Sequence, residues 1–376
     1  MPDLERIDPY YDWQEREGIR AITGLFIEDL NTAELDPWAR TGGKGAFVNL
    51  GLKIGHSKAA YIVEIPAGGS LNPMRHMFEE VVYVVSGRGA TTVWTEGKEK
   101  QLIEWQEGSL LAIPLNAQFQ HFNGSNAPAR LLAYNNMPEV MMLFHNEEFI
   151  FNCPFAFTDR YAGQDDYFSG DGKLWDIKGR PVKALETSFV ADARNLGLYQ
   201  WKERGAGGFN VMFELADGVV PTHISQFPVG TYKKAHHHGH GDAGGGALLL
   251  ILGGVGFSLV WPPGVKDAEI QQLIWKQNSL FVAPSSWYHQ HFNTGATPAR
   301  YLALRGGGGL RYGARGQQWG GADVSEDDGG WQIEYEREDP RVHQIFEAEL
   351  AKHGAVCQMS DFSPFCTAEK ETAAAR

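Results

Sequence analysis

The chain has 376 residues, a formal net charge of −13 and 12% aromatic residues. That length allows two domains with a core each, while the acidic balance excludes nucleic acid and anionic membrane as expected partners, since either needs a basic face. The three cysteines, Cys153, Cys357 and Cys366, are odd in number and not in metal spacing, a usage that suits a reducing compartment without a disulfide framework.

Taken in chain order, residues 1–50 read as an N-terminal arm. Its opening, MPDLERIDPYYDWQ, is polar and acidic, unlike a signal or transit peptide, so the expected location is cytoplasmic. Residues 51–140 alternate short apolar runs with Gly, Pro and Asn, the pattern of an all-β barrel or sandwich. Residues 141–205 are aromatic and irregular (FHNEEFIFNCPFAF) and read as a packed connection. Residues 206–310 return to the β pattern. Their longest apolar run, Ala247 to Trp261, is too short to span a bilayer. In the last part, 311–376, a Gly-rich loop (RGGGGLRYGARGQQWGG, 305–321) leads to a helix. Asp339 is its expected N-cap, Pro340 its first residue and Gly354 its stop, with Val342, Ile345, Phe346 and Leu350 on one apolar face.

The two β regions are copies. PLNAQFQHFNGSNAPARLLA (114–133) lies over PSSWYHQHFNTGATPARYLA (284–303), and WQEGSLLAIP (105–114) over WKQNSLFVAP (275–284). VVYVVSGRGATTVW (81–94) matches LLLILGGVGFSLVW (248–261), and IPAGGSLNPMRH (65–76) matches FPVGTYKKAHHH (227–238). Four blocks in one order identify a duplicated domain.

Each copy resembles the cupin superfamily, whose first motif is Gly, five residues, His-x-His, three or four residues, Glu, six residues, Gly. Its second is Gly, five residues, Pro-x-Gly, two residues, His, three residues, Asn. The first copy offers Gly68, Met74, His76, Glu80 and Gly87, then Gly108, Pro114, Asn116, Phe119 and Asn123. The second offers Gly230, His236, His238, Ala247 and Gly254, then Asn278, Pro284, Ser286, His289 and Asn293. The resemblance implies an all-β fold of two tandem double-stranded β-helix (jelly-roll) barrels with short helices at the termini. It also implies a degenerate metal site in the first barrel, where Met74 and Phe119 stand at ligand positions and His76 and Glu80 are left as a remnant hydrogen-bonded pair. The second barrel keeps the three histidine positions but has Ala247 in place of the glutamate.

His236 and His238 lie two apart, so on a strand both rings face the barrel interior, where His289 joins them. Three neutral imidazoles suit Fe(II), Mn, Ni or Zn and leave open positions for substrate. His237 faces the other way. His240 and Asp242 fall in the insertion of the second copy; a solvated loop is the leading reading, a fourth ligand the alternative. WYHQHFN (287–293) is similar to a run in gentisate and 1-hydroxy-2-naphthoate dioxygenases, which implies an Fe(II) dioxygenase cleaving an aromatic or enolisable carboxylic acid with O₂. The alternatives are a non-redox isomerase, lyase or decarboxylase using Zn, Ni or Mn, and a non-catalytic small-molecule-binding cupin. His291, matched by His121 in the first copy, is a structural residue or the group that handles protons. Arg305 is a candidate to pair with a substrate carboxylate or else a surface ion pair. Trp261, Trp287, Tyr288 and Phe257 are candidates for an aromatic pocket or for core, and His223 could line the pocket. The expected partners are a small-molecule substrate, O₂ and further copies of the chain in a homo-oligomer.

Overall fold

The structure is a computed structural model and describes residues 7–51, 57–178, 182–238, 246–264, 270–305, 310–311 and 321–367. The fold is all-β, with two tandem jelly-roll barrels. In the first, an eight-stranded sheet containing Gly43–Leu50, Ala59–Ile65, Ala129–Asn135, Glu80–Ser86 and Leu110–Ile113 faces a three-stranded sheet, Gln118–Asn123, Arg88–Trp94 and Gln101–Gln106. In the second, a nine-stranded sheet containing Phe209–Leu215, Thr222–Phe227, Ala299–Arg305, Ala247–Gly253 and Leu280–Ala283 faces a five-stranded one. That smaller sheet contains Gln271–Trp275, Gly256–Trp261, Tyr288–Asn293, Ala235–His236 and Gln332–Ile333.

The runs VVYVV and LLLIL are apolar on both faces because each belongs to a sheet covered on both faces. Val82 and Val84 fill the first barrel, and Leu249 and Ile251 fill the second. Their neighbours Val81, Tyr83, Leu248 and Leu250 point outward into a core that the two barrels share. Strand exchange reinforces this junction. Phe26–Ile27, from the arm, pairs with Leu280–Ala283 of the second barrel, while Phe189–Val190, from the connection, pairs with Leu110–Ile113 of the first.

Turn chemistry is duplicated too. Asn116 (φ 56°) and Ser286 (φ 66°) hold a left-handed conformation where the family motif has glycine. Asn123 Nδ2 donates to the carbonyls of Ile65, Pro66 and Ala127, and Asn293 Nδ2 to those of Phe227, Pro228 and Thr297. The motif's terminal Asn is therefore a loop clamp in both copies.

Helices occupy both ends, as expected. Pro340–His353 is capped by Asp339, whose side chain accepts from Arg341 N, and stops at Gly354 (φ 63°). Two more helices, Met137–Phe144 and Glu147–Asn152, bridge the end of the range expected for the first barrel and the start of the expected irregular connection. Their eight and six residues are too few to display a helical period. Cys357 and Cys366, which chain spacing does not put in metal order, meet beside this C-terminal helix, with His343 and Glu347. Most of the Gly-rich stretch 305–321 lies outside the described residues. Among the described residues no helix is long and apolar enough to cross a membrane.

Candidate metal centre

His236 and His289 are register partners on neighbouring antiparallel strands, which sets their rings 4.2 Å apart. The His238 ring lies 5.2 Å from each of them, although the strand itself ends at His236. Two backbone bonds carry the chain past that end: His237 N donates to Trp331 O at 3.1 Å, and Ser286 N to His238 O at 3.0 Å. The left-handed turn at Ser286 thus also braces the second histidine. One ligand nitrogen from each of the three rings lies within 4.8 Å of the others. His236 Nδ1 donates to Lys234 O and His289 Nδ1 to Trp287 O, both at 3.3 Å, which fixes the tautomer and leaves Nε2 as the lone-pair nitrogen. Burial holds the rings neutral, and the charges of Arg204 and Arg305 add to it; His289 is pushed down to about 3. Three neutral imidazoles, two of them oriented by backbone carbonyls, are a donor set suited to a divalent transition ion, so the residues present fit a metal.

His291 belongs to a hydrogen-bonded group of its own. Its Nδ1 lies 2.8 Å from Ser258 Oγ, which also accepts from Trp275 Nε1 at 2.9 Å. In the first barrel His121, Thr91 and Trp105 repeat the same relay at 2.6 and 2.9 Å. A relay present in both barrels supports the structural reading of this nitrogen.

His223 and Arg305 lie on strands whose inward positions hold Phe227, Tyr301 and Ala303. His223 is opposite Ala303, and Arg305 is opposite Ala247. Both side chains are near enough to the triad to depress His238. Trp287 packs against the interior cluster. Three expected pocket residues are placed elsewhere. With His289 turned inward, strand alternation turns Tyr288 outward. There it stacks on its cross-strand partner Trp261 at 5.6 Å, beside His237. Phe257 stacks on Phe292 at 4.3 Å, in the cluster under the C-terminal helix. His240 and Asp242 lie outside the described residues.

Two features were not anticipated. Lys233 and Tyr301, both buried in the second barrel, are joined by a 3.0 Å hydrogen bond from Nζ to the phenol oxygen. Burial lowers the lysine; for Tyr301, burial opposes ionisation, but the charge and hydrogen bond of Lys233 outweigh it and bring the phenol below its ordinary value. The aligned positions in the first copy are Leu71 and Leu131, so the signal was available in the differences between the repeats. The second is Arg204, a buried cation paired with Asp323 at 2.5 Å, whose charge reaches all three triad rings.

The first barrel has other contents. His76 Nε2 and Glu80 Oε1 are 3.7 Å apart, so the expected hydrogen bond between them is not made. Glu80 Oε2 instead accepts from Tyr61 Oη at 2.6 Å and Asn135 Nδ2 at 3.2 Å, while His76 Nδ1 donates to Phe78 O. The first barrel thus places Tyr61, Glu80 and Asn135 where the second has His223, Ala247 and Arg305.

Residues 61–134 match the family model described as Cupin domain. No curated protein matches the chain. A tryptophan-to-tyrosine variant of oxalate decarboxylase from Bacillus subtilis is similar in structure at 12% identity and a TM-score of 0.47, over 77% of this chain and 78% of that one. The same Bacillus subtilis enzyme at pH 4.6 is similar at 12% identity and 0.47, over 77% of both chains.

Proposed function

We propose that the chain is a metal-dependent bicupin enzyme that acts on a small carboxylic acid through His236, His238 and His289. Non-redox chemistry, of the lyase, decarboxylase or isomerase kind, is the first reading, with Mn, Ni or Zn as the ion. The observation that carries it is the composition of the second barrel's interior. Beside the triad stand an arginine and several groups able to exchange a proton, His223, Tyr301 and Lys233, where the first barrel has Asn135, Tyr61, Leu131 and Leu71. A bound divalent ion supplies Lewis-acid polarisation of a substrate oxygen. Arg305 offers the complementary donors for a carboxylate, with the small Ala247 as its register partner in place of an acid. The Tyr301 hydroxyl, with Lys233 against it, is a proton donor that stays paired and oriented in an interior closed to bulk water.

A second reading, an Fe(II) dioxygenase, is favoured by the lack of a carboxylate at Ala247, which leaves the full charge of an ion available to an anionic substrate. Elemental analysis and a substrate screen separate the two. The expected result is Mn, Ni or Zn, with CO₂ release or isomerisation of small hydroxy, keto or dicarboxylic acids and no O₂ uptake. Iron with stoichiometric O₂ consumption would replace the first reading by the second. The triad has its own test. Changing His236, His238 or His289 to Ala should lower metal affinity by more than the roughly 10–100-fold typical of a lost supporting hydrogen bond. Unchanged metal content and turnover in all three variants would refute both enzyme readings.

A further inference from the structure

A second group of metal-ligating side chains lies outside the triad, on the outer flank of the second barrel. His343 and Glu347 are one turn apart on helix Pro340–His353 and so share a face. The chain leaves the helix at Gly354 and returns along that face, bringing Cys357 and then Cys366 to it. One ligand atom from each of these residues lies within 4.8 Å of the others. His343 Nε2 is 3.2 Å from Glu347 Oε1 and 3.8 Å from Cys357 Sγ, and the two sulfurs are 2.8 Å apart.

The imidazole is oriented from behind. Tyr232 Oη lies 2.7 Å from Glu338 Oε1 and 3.1 Å from His343 Nδ1, within hydrogen-bond reach of both. His343 Nε2 faces the Glu347 carboxylate and the Cys357 sulfur. A ligand histidine whose other nitrogen is tied to a hydroxyl or carboxylate is the usual supporting arrangement of a metal site. Two sulfurs, one imidazole and one carboxylate form a donor set suited to zinc. Tetrahedral bond lengths would set the donors about 3.4 to 3.8 Å apart. The nitrogen contacts are close to that range, and the sulfurs must part by about 1 Å. Glu347 is exposed, which gives an ion a way in, while His343 and Cys357 are buried.

We propose that His343, Glu347, Cys357 and Cys366 form a structural site for a zinc-class divalent ion, separate from the histidine triad. Such an ion fastens the C-terminal segment to the second barrel, where Val342, Phe346, Leu350 and Met359 pack on Tyr232, Phe257 and Phe292. The same segment supplies strand Gln332–Ile333, which pairs with Ala235–His236. The ion therefore steadies the strand that carries a triad histidine without touching the triad.

The test uses the full chain, purified under reducing conditions, with the double change His236→Ala and His289→Ala as background so that a single imidazole of the triad is left. Zinc titrated into this protein should bind one per chain, and cobalt should give sulfur-to-cobalt charge-transfer absorption. Cys357→Ser should abolish that absorption, and Glu347→Ala, at an exposed position, should weaken zinc binding at least tenfold while the chain stays folded. Absence of both zinc binding and the absorption band in the folded, reduced chain would overturn the site. So would full retention of zinc in Cys357→Ser, or a chain that binds no zinc and is isolated 2 Da lighter as a Cys357–Cys366 disulfide. Failure of the triad reading would leave these outcomes unaffected.

Discussion

Arg305 and Ala247 form a cross-strand pair at the inner face of the second barrel, and their counterparts Asn135 and Glu80 occupy the same register in the first. The exchange replaces an acid held by Tyr61 and Asn135 with an alanine opposite an arginine. Arg305→Gln should therefore raise KM for the carboxylate substrate roughly 10–100-fold, the equivalent of a lost charged hydrogen bond of about 1.5–3 kcal/mol, with metal content unchanged. Steady-state kinetics checks this; a fall in kcat alone would place the residue in the chemical step. Glu338 makes a different point about burial. Desolvation raises it from an ordinary 4.5 to about 7, against the hydrogen bonds from Gln290 and Tyr232 that favour its ionised form. Between those two pH values the native chain holds a proton that the unfolded chain releases, so this group's contribution to stability falls as pH rises through the window. Glu338→Gln should flatten that slope, gaining up to about 3 kcal/mol relative to the parent by pH 8. Denaturant midpoints at pH 4.5 and 8 measure it, and an unchanged difference would contradict the assignment.

At the scale of elements, the sequence patterns divide into those set locally and those set by packing. The C-terminal helix is locally specified: Asp339 caps it, Pro340 opens it and Gly354 ends it in the left-handed region. Asp339→Ala should cost about 1 kcal/mol, seen as a lowered Tm, because the Arg341 amide loses its acceptor. The strand of His236 is the opposite case. It has two residues, Ala235–His236, and is held by Tyr288–Asn293 on one side and Gln332–Ile333 on the other. Nothing in KKAHHHG predicts that a segment almost a hundred residues later completes its pairing. Tyr288 and Trp261 carry a similar lesson. Their aromatic character suggests a pocket, but alternation about His289 puts them outside.

For the whole molecule, the shared core is the decisive feature. Val81, Tyr83, Leu248 and Leu250 all pack in one cluster between the barrels, and a strand from each flank crosses to the other barrel. Neither barrel buries its own apolar sheet face alone. Calorimetric unfolding is therefore expected to give one cooperative transition, with van't Hoff and calorimetric enthalpies equal. Two resolved transitions would show that the barrels are energetically independent despite this junction.

The duplication, the all-β class, the inward-facing histidines and the capped C-terminal helix were legible in the sequence. Each rests on periodicity, turn residues or repeat alignment, which act over a few positions or between copies. The Lys233–Tyr301 pair, the meeting of Cys357 and Cys366 with His343, and the face on which each aromatic lies were decided by tertiary structure. These depend on register and on returns of the chain from far along it, and a single alternation error moves a side chain from the interior of a barrel to its outside.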